Sequence, residues 1–337
     1  MKKFFNCYCI FILVVFCFVQ KTFAQDPQFT QFYNAPLYLN PALTGSTEQF
    51  RGAANYRNQW LLMNSNYVST TFSFDYNANR WRSGFGFLAS YDNAGSNQLT
   101  ATSFSGLYSF VVPFGGWQAR LGIQGGLTTR QINTGGLRFV SEVRNDEPPV
   151  NEAVGGSTLF FGVSSGFVVY NKNLVFGFAA HHLNRPDQSI IGTGSRLPIK
   201  YSLQLAGNYK IYAMNSYLYL MPAVLFKMQG ATQQLDVGMR FMRDDLPLEM
   251  GVFYRGIPFL PNAGGIFNQD AIAFTVGWKT ENWTFGYSYD LTISGLTPLT
   301  GGSHEIAIIY EYATRSRKLD QISCPIYAKP VSNKRSR

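Results

Sequence analysis

Between residues 50 and 312 the chain is written in fourteen short segments of alternating apolar and polar side chains, joined by connections that are in turn long and short. Few folds accept that pattern. Strands of about ten residues with one apolar and one polar face suit a sheet that meets lipid on one side and water on the other. In the clearest case Trp283, Phe285, Tyr287, Tyr289 and Leu291 alternate with Thr284, Gly286, Ser288, Asp290 and Thr292. Ile272, Phe274, Val276 and Trp278 repeat it against Ala271, Ala273, Thr275, Gly277 and Lys279. The predicted strands are 51–58, 67–76, 83–91, 98–111, 116–130, 158–170, 174–183, 198–210, 215–227, 232–243, 246–255, 270–279, 282–292 and 303–312. Alternation is blurred in 98–111 and 215–227.

A soluble β-sandwich also alternates, but its polar faces usually carry Lys and Glu. Here they carry Gly, Ser, Thr, Asn and Gln. Charged residues are 14% of the chain, against about 25% in soluble domains. Aromatics reach 16% while mean hydropathy stays near zero, as when an apolar exterior and a polar interior cancel. Beyond the N-terminus no stretch offers the ~20 apolar residues of a membrane helix. The expected fold is therefore all-β: a fourteen-stranded antiparallel transmembrane barrel, closed so that no sheet edge meets hydrocarbon.

The first residues read as a secretory signal peptide, with Lys2 and Lys3, an apolar run from Phe4 to Val19, and Thr22-Phe23-Ala24 before the cleavage point. Cys7, Cys9 and Cys17 lie within it, which leaves Cys324 alone in the mature chain and no internal disulfide. Residues 25–49 are rich in Pro, Asn and aromatic rings without a period of two. Phe29, Phe32, Tyr33, Leu37, Tyr38 and Leu39 need burial, and the lumen or its periplasmic mouth is where a barrel offers it. The expected organisation is a signal peptide at 1–24, a plug-like segment at 25–49, the barrel at 50–312 and a basic tail at 313–337. Long connections follow odd-numbered strands and short turns follow even ones, the short connection at 228–231 excepted; with tight periplasmic turns, that phase puts both termini in the periplasm.

The net charge of +9 resides in the leader and the tail, because residues 25–312 carry as many acidic as basic groups. No basic face for nucleic acid results. The tail, with Arg315, Arg317, Lys318, Lys329, Lys334, Arg335 and Arg337, reads equally as a soluble extension, a contact for anionic lipid or a docking strip for a periplasmic partner. Asp236, Arg240, Glu249, Arg255, Lys279, Asp290 and Glu305 fall on lumenal positions, where charges satisfy one another or tune passage. His181 and His182 are adjacent, so on a strand they face opposite sides and do not share a metal. No nucleophile elbow or triad spacing occurs. No enzyme, metal or cofactor is expected.

Several stretches resemble the PorP/SprF family of outer-membrane proteins. They are Gln25 to Phe32, Asn40-Pro41-Ala42 with Gly45, Tyr56-Arg57-Asn58-Gln59-Trp60, Asp92-Asn93-Ala94-Gly95, Tyr289-Asp290, Gly301 to Glu305 and Cys324-Pro325. The resemblance implies a FadL-like barrel in Bacteroidetes that serves type IX secretion or gliding motility. Its implied partners are the translocon, periplasmic secretion or gliding subunits, secreted cargo such as gliding adhesins, and outer-membrane lipid. Two groups are candidates for partner contact. Pro27, Phe29, Phe32, Asn40 and Pro41 form either a docking element or a segment that seals the barrel. Tyr56, Arg57 and Trp60 lead into the first outer loop, where Arg57 either pairs with a lumenal carboxylate or reaches a partner. A FadL-like channel for an amphipathic solute is the competing function.

Overall fold

The wall is continuous because its first strand is hydrogen-bonded to its last. Strand β1 (Phe50–Gln59) pairs antiparallel with β15 (Ser303–Tyr312), from Phe50 opposite Tyr312 to Gln59 opposite Ser303. Between them run β2 (Tyr67–Ala78), β3 (Ser83–Ala94), β4 (Leu99–Phe114), β5 (Trp117–Ile132), β6 (Gly156–Tyr170), β7 (Leu174–His181), β8 (Lys200–Gly207), β9 (Tyr209–Ala213), β10 (Ser216–Gln229), β11 (Thr232–Arg243), β12 (Leu248–Pro261), β13 (Phe267–Lys279) and β14 (Trp283–Thr292). The computed structural model describes residues 26–47, 49–63, 66–95, 99–132, 156–190, 192–213, 215–261, 267–294, 300–312 and 324–325. The signal peptide expected at 1–24, the connection at 133–155 and the tail except Cys324 and Pro325 lie outside them.

β8 and β9 are halves of a single strand, since both pair with β10 in one register. The break falls at Asn208, next to Gly207, which the register sets opposite Pro222 of β10, a residue without an amide hydrogen to donate. The barrel thus has the fourteen strands the alternation predicted. Long connections gather at one end, called upper here, and short turns at the other.

The alternation sorts side chains as lipid and water require. Phe72, Phe74, Phe85, Phe87, Phe274, Phe285, Ile306 and Ile308 stand exposed on the outer wall, while Ser69, Thr71, Ser73 and Asp75 turn inward and are buried. Among the described residues no helix is long and apolar enough to cross a membrane; strands do the crossing.

Residues 26–47 occupy the lumen. They form three short turns of helix, Phe32–Asn34, Pro36–Leu39 and Pro41–Leu43, two of which begin with proline, whose missing amide costs nothing at a helix start. Phe32, Tyr33, Leu39, Ala42 and Leu43 pack with the wall residues Val168, Val175, Leu225 and Phe253. Phe32 meets the Phe253 ring edge-on at 5.7 Å, and Leu37 fits between Leu88 and Leu107. Two places let the segment lie directly on the wall. A Cβ on Gly122 would sit 2.2 Å from the Ala42 amide nitrogen, and one on Gly45, whose φ is +65°, would sit 2.7 Å from Gly84 Cα. Leucine at position 122 is expected to weaken seating of the segment by about 1–3 kcal/mol, the usual cost of overpacking. The check is amide exchange, which should quicken across residues 40–45 while the strands keep their protection.

Candidate functional site: the plugged lumen

A buried charge needs an opposite charge or several hydrogen bonds, and the lumen is arranged around that requirement. Arg57, on an inward position of β1, reaches Asp290 of β14 at 2.7 Å and Glu305 of β15 at 3.2 Å. Arg255 of β12 reaches Asp290 and Asp236 at 2.9 Å each. Thr30 of the plug sits in the middle. Its hydroxyl accepts from Arg57 and Arg255 at 2.6 Å each and donates to Asp290 at 2.7 Å. The amides of Thr30 and Gln31 donate to the two carboxylate oxygens of Glu305 at 2.7 and 2.9 Å. Around it Arg240 and Lys279 share Glu249, at 3.2 and 2.7 Å. All seven predicted lumenal charges are therefore inside, and all are paired.

Both ends of the plug are pinned as well. Towards the short-turn end, Arg51 binds Asp75 at 2.9 Å and the Leu43 carbonyl at 3.0 Å, and the Gly45 amide donates to Asp75 at 2.6 Å. Arg120 and Ser109 both donate to the Thr44 carbonyl at 2.6 Å. At the upper end the Asp26 amide donates to Gln229 at 2.9 Å, and its carboxylate lies 2.8 Å from His182 Nε2 and 3.3 Å from Lys200. Burial opposes ionisation of Asp26, but His182 and Lys200 outweigh it and hold the carboxyl well below the usual range. Cys324 is fully buried in the cluster that holds Phe32 and Tyr33, and the Pro325 carbonyl accepts from Asn208 at 3.4 Å.

The histidine expectation is corrected. β7 ends at His181, and His182 adopts a left-handed φ of 59°, which ends the alternation and brings its ring back over the lumen. Both imidazoles line the same cavity instead of opposite faces. Among the described residues no group of three or more His, Cys, Asp or Glu is arranged to hold a metal.

The eight sequence candidates separate by position. Phe29, Phe32, Asn40, Pro41 and Arg57 are buried, and Pro27 is half-buried at the floor of the upper cavity. Asn40 donates to the carbonyls of Phe167 and Phe178 at 3.2 Å. Tyr56 faces outward, 42% exposed. Trp60, half-buried at the upper rim with a φ of 62°, donates its amide to Gly302 at 2.9 Å. Sequence reasoning missed Thr30 and Asp26 as anchors. A signal existed, since each is a polar residue in a segment whose neighbours demand burial.

Residues 21–310 match the family described as Type IX secretion system membrane protein PorP/SprF. The chain belongs to that family. It is a type IX secretion system component in the outer membrane. No curated protein matches it in sequence. Among solved structures it is similar to Omp33 of Acinetobacter baumannii, 9% identical over 80% of this chain and 100% of that one, with a TM-score of 0.42. CdiB from Acinetobacter baumannii is 8% identical, with 79% of this chain and 60% of that one covered and a TM-score of 0.47. The TodX monoaromatic hydrocarbon channel is 10% identical, with 82% and 93% covered and a TM-score of 0.42.

Two outcomes follow from the network. Methionine at Arg57 would leave Asp290 and Glu305 short of a counter-charge, so the PorP/SprF barrel should lose about 3–5 kcal/mol, read as a lower denaturant midpoint in micelles. Because folding depresses the Asp26 carboxyl, its contribution is complete above the ordinary Asp value of about 4 and is lost as pH falls further. Amide protection near residue 26, relative to the unstructured rate at the same pH, should therefore fall in acid, and Asp26→Asn should remove that pH dependence.

Proposed function

We propose that this barrel is a non-enzymatic accessory that positions secreted cargo and other subunits of the type IX machine at the outer membrane. The observation that carries the reading is the plug. Residues 26–47 run the length of the lumen and are held by ion pairs and hydrogen bonds at both ends and at Thr30. A wall sealed this way serves as a scaffold better than as a duct, because a duct would have to break buried charge pairs to open. The competing channel for an amphipathic solute requires that rearrangement.

In this reading the short turns and both wall termini, Phe50 and Tyr312, face the periplasm, and the long connections face outward. The plug then climbs from the periplasmic rim to Asp26 beneath the outer mouth. Periplasmic secretion or gliding subunits would meet the barrel on the short-turn side. Of the eight candidates, Tyr56 and Trp60 would be the ones to meet a partner, a reading supported by the exposure of Tyr56 and of the neighbouring Leu61 and Leu62. Pro27, Phe29, Phe32, Asn40, Pro41 and Arg57 act by seating the plug. Cargo of the gliding-adhesin class fits an outer rim that retains surface proteins. A deletion strain should lose display of a subset of secreted surface proteins while solute uptake stays normal. Undiminished display of every surface protein, or a defect confined to uptake, would refute the proposal.

A further inference from the structure

In one region of the lumen, two charges of the wall meet no charge of opposite sign among the described residues. Above the plug lies a cavity of about 160 Å³, floored by Asp26, Pro27 and Tyr38. By the measure of roughly 15 Å³ per water, it holds on the order of ten non-hydrogen atoms. Asp92 of β3 and Arg130 of β5 both line it. They occupy one row of the wall, because Asp92 is in register with Ala101 of β4 and Ala101 with Arg130. Two strand spacings separate their backbones, about 10 Å. The residue between them is only a methyl group.

Neither charge has an ionic partner among the described residues. Asp92 stands in register with Ser69 of β2, and Arg130 donates to the neutral amide of Gln188. Arg51, Arg57, Arg240 and Arg255, by contrast, each meet a carboxylate. Deeper in the same cavity, Gln124 Oε1 is buried without a hydrogen-bond partner among the described residues. A carboxylate and a guanidinium that face one water-accessible space without meeting each other leave room for a bridge with a cation at one end and an anion at the other.

The geometry points to a binding site for a small zwitterion, an amino acid or short peptide whose ammonium group meets Asp92 and whose carboxylate meets Arg130, with its backbone lying over Ala101. The rings of Tyr67 and Phe160 line the same cavity and provide apolar contact. The planar guanidinium suits a carboxylate through two parallel hydrogen bonds. No role in cargo positioning is required, so the site stands apart from the scaffold reading.

Calorimetry on the purified full-length barrel in micelles, with glycylglycine as the probe, tests this. Saturable binding is expected, and N-acetylglycylglycine and glycylglycinamide should each bind at least about tenfold more weakly, as loss of a charged hydrogen bond implies. Asp92→Asn should abolish discrimination against the acetylated peptide only, and Arg130→Gln discrimination against the amide only. Ala101→Leu, which keeps both charges and fills the gap, should abolish binding while the barrel still migrates as folded on unheated gels. No saturable binding by the intact protein, or equal binding of free and blocked peptides, would overturn the assignment.

Discussion

Backbone hydrogen bonding across the seam between β1 and β15 is the constraint on which the rest depends. In hydrocarbon an unpaired amide or carbonyl costs several kcal/mol, so the sheet must close on itself. Closure sets the strand number and turns one face of every strand inward. Side chains on that face then meet a confined space with little water. The charges around the plug are held by their neighbours for that reason, and Arg57, Arg255, Asp290 and Glu305 converge on one point.

The plug is a consequence of that interior as much as an occupant of it. Thr30 joins two arginines to Asp290 with one hydroxyl, and the adjoining amides complete the coordination of Glu305. Without the segment these groups would face bulk water in a wide pore. With it they are buried, and the same burial brings Phe32 and Tyr33 against Phe253. Wall and plug therefore stabilise each other. Gly122 and Gly84 mark where the wall has given up side chains so that the plug backbone can approach.

Much of the wall was legible in the sequence, because a period of two with an aromatic outer face has few alternatives. Strand ends were predicted to within a few residues even where alternation blurred, as in β4, except that β12 runs on to Pro261 past the predicted end at 255. The burial of residues 26–47 was legible too, from rings that needed cover in a segment unable to form a strand. What was hidden is what depends on position in space. The convergence of Arg57 and Arg255 on Thr30 includes a contact between residues 225 positions apart, and no local pattern encodes it. The turn of His182 back over the lumen depends on a single left-handed residue. The break at Asn208 was written in Pro222, but only the pairing shows that the proline stands opposite the neighbouring Gly207.

Ion conductance across a planar bilayer tests the central claim most directly. The intact protein should insert without giving a steady current, and a variant that lacks residues 27–44 should give a large, stable one. A steady current of equal size from both proteins would contradict a lumen closed by its own N-terminal segment.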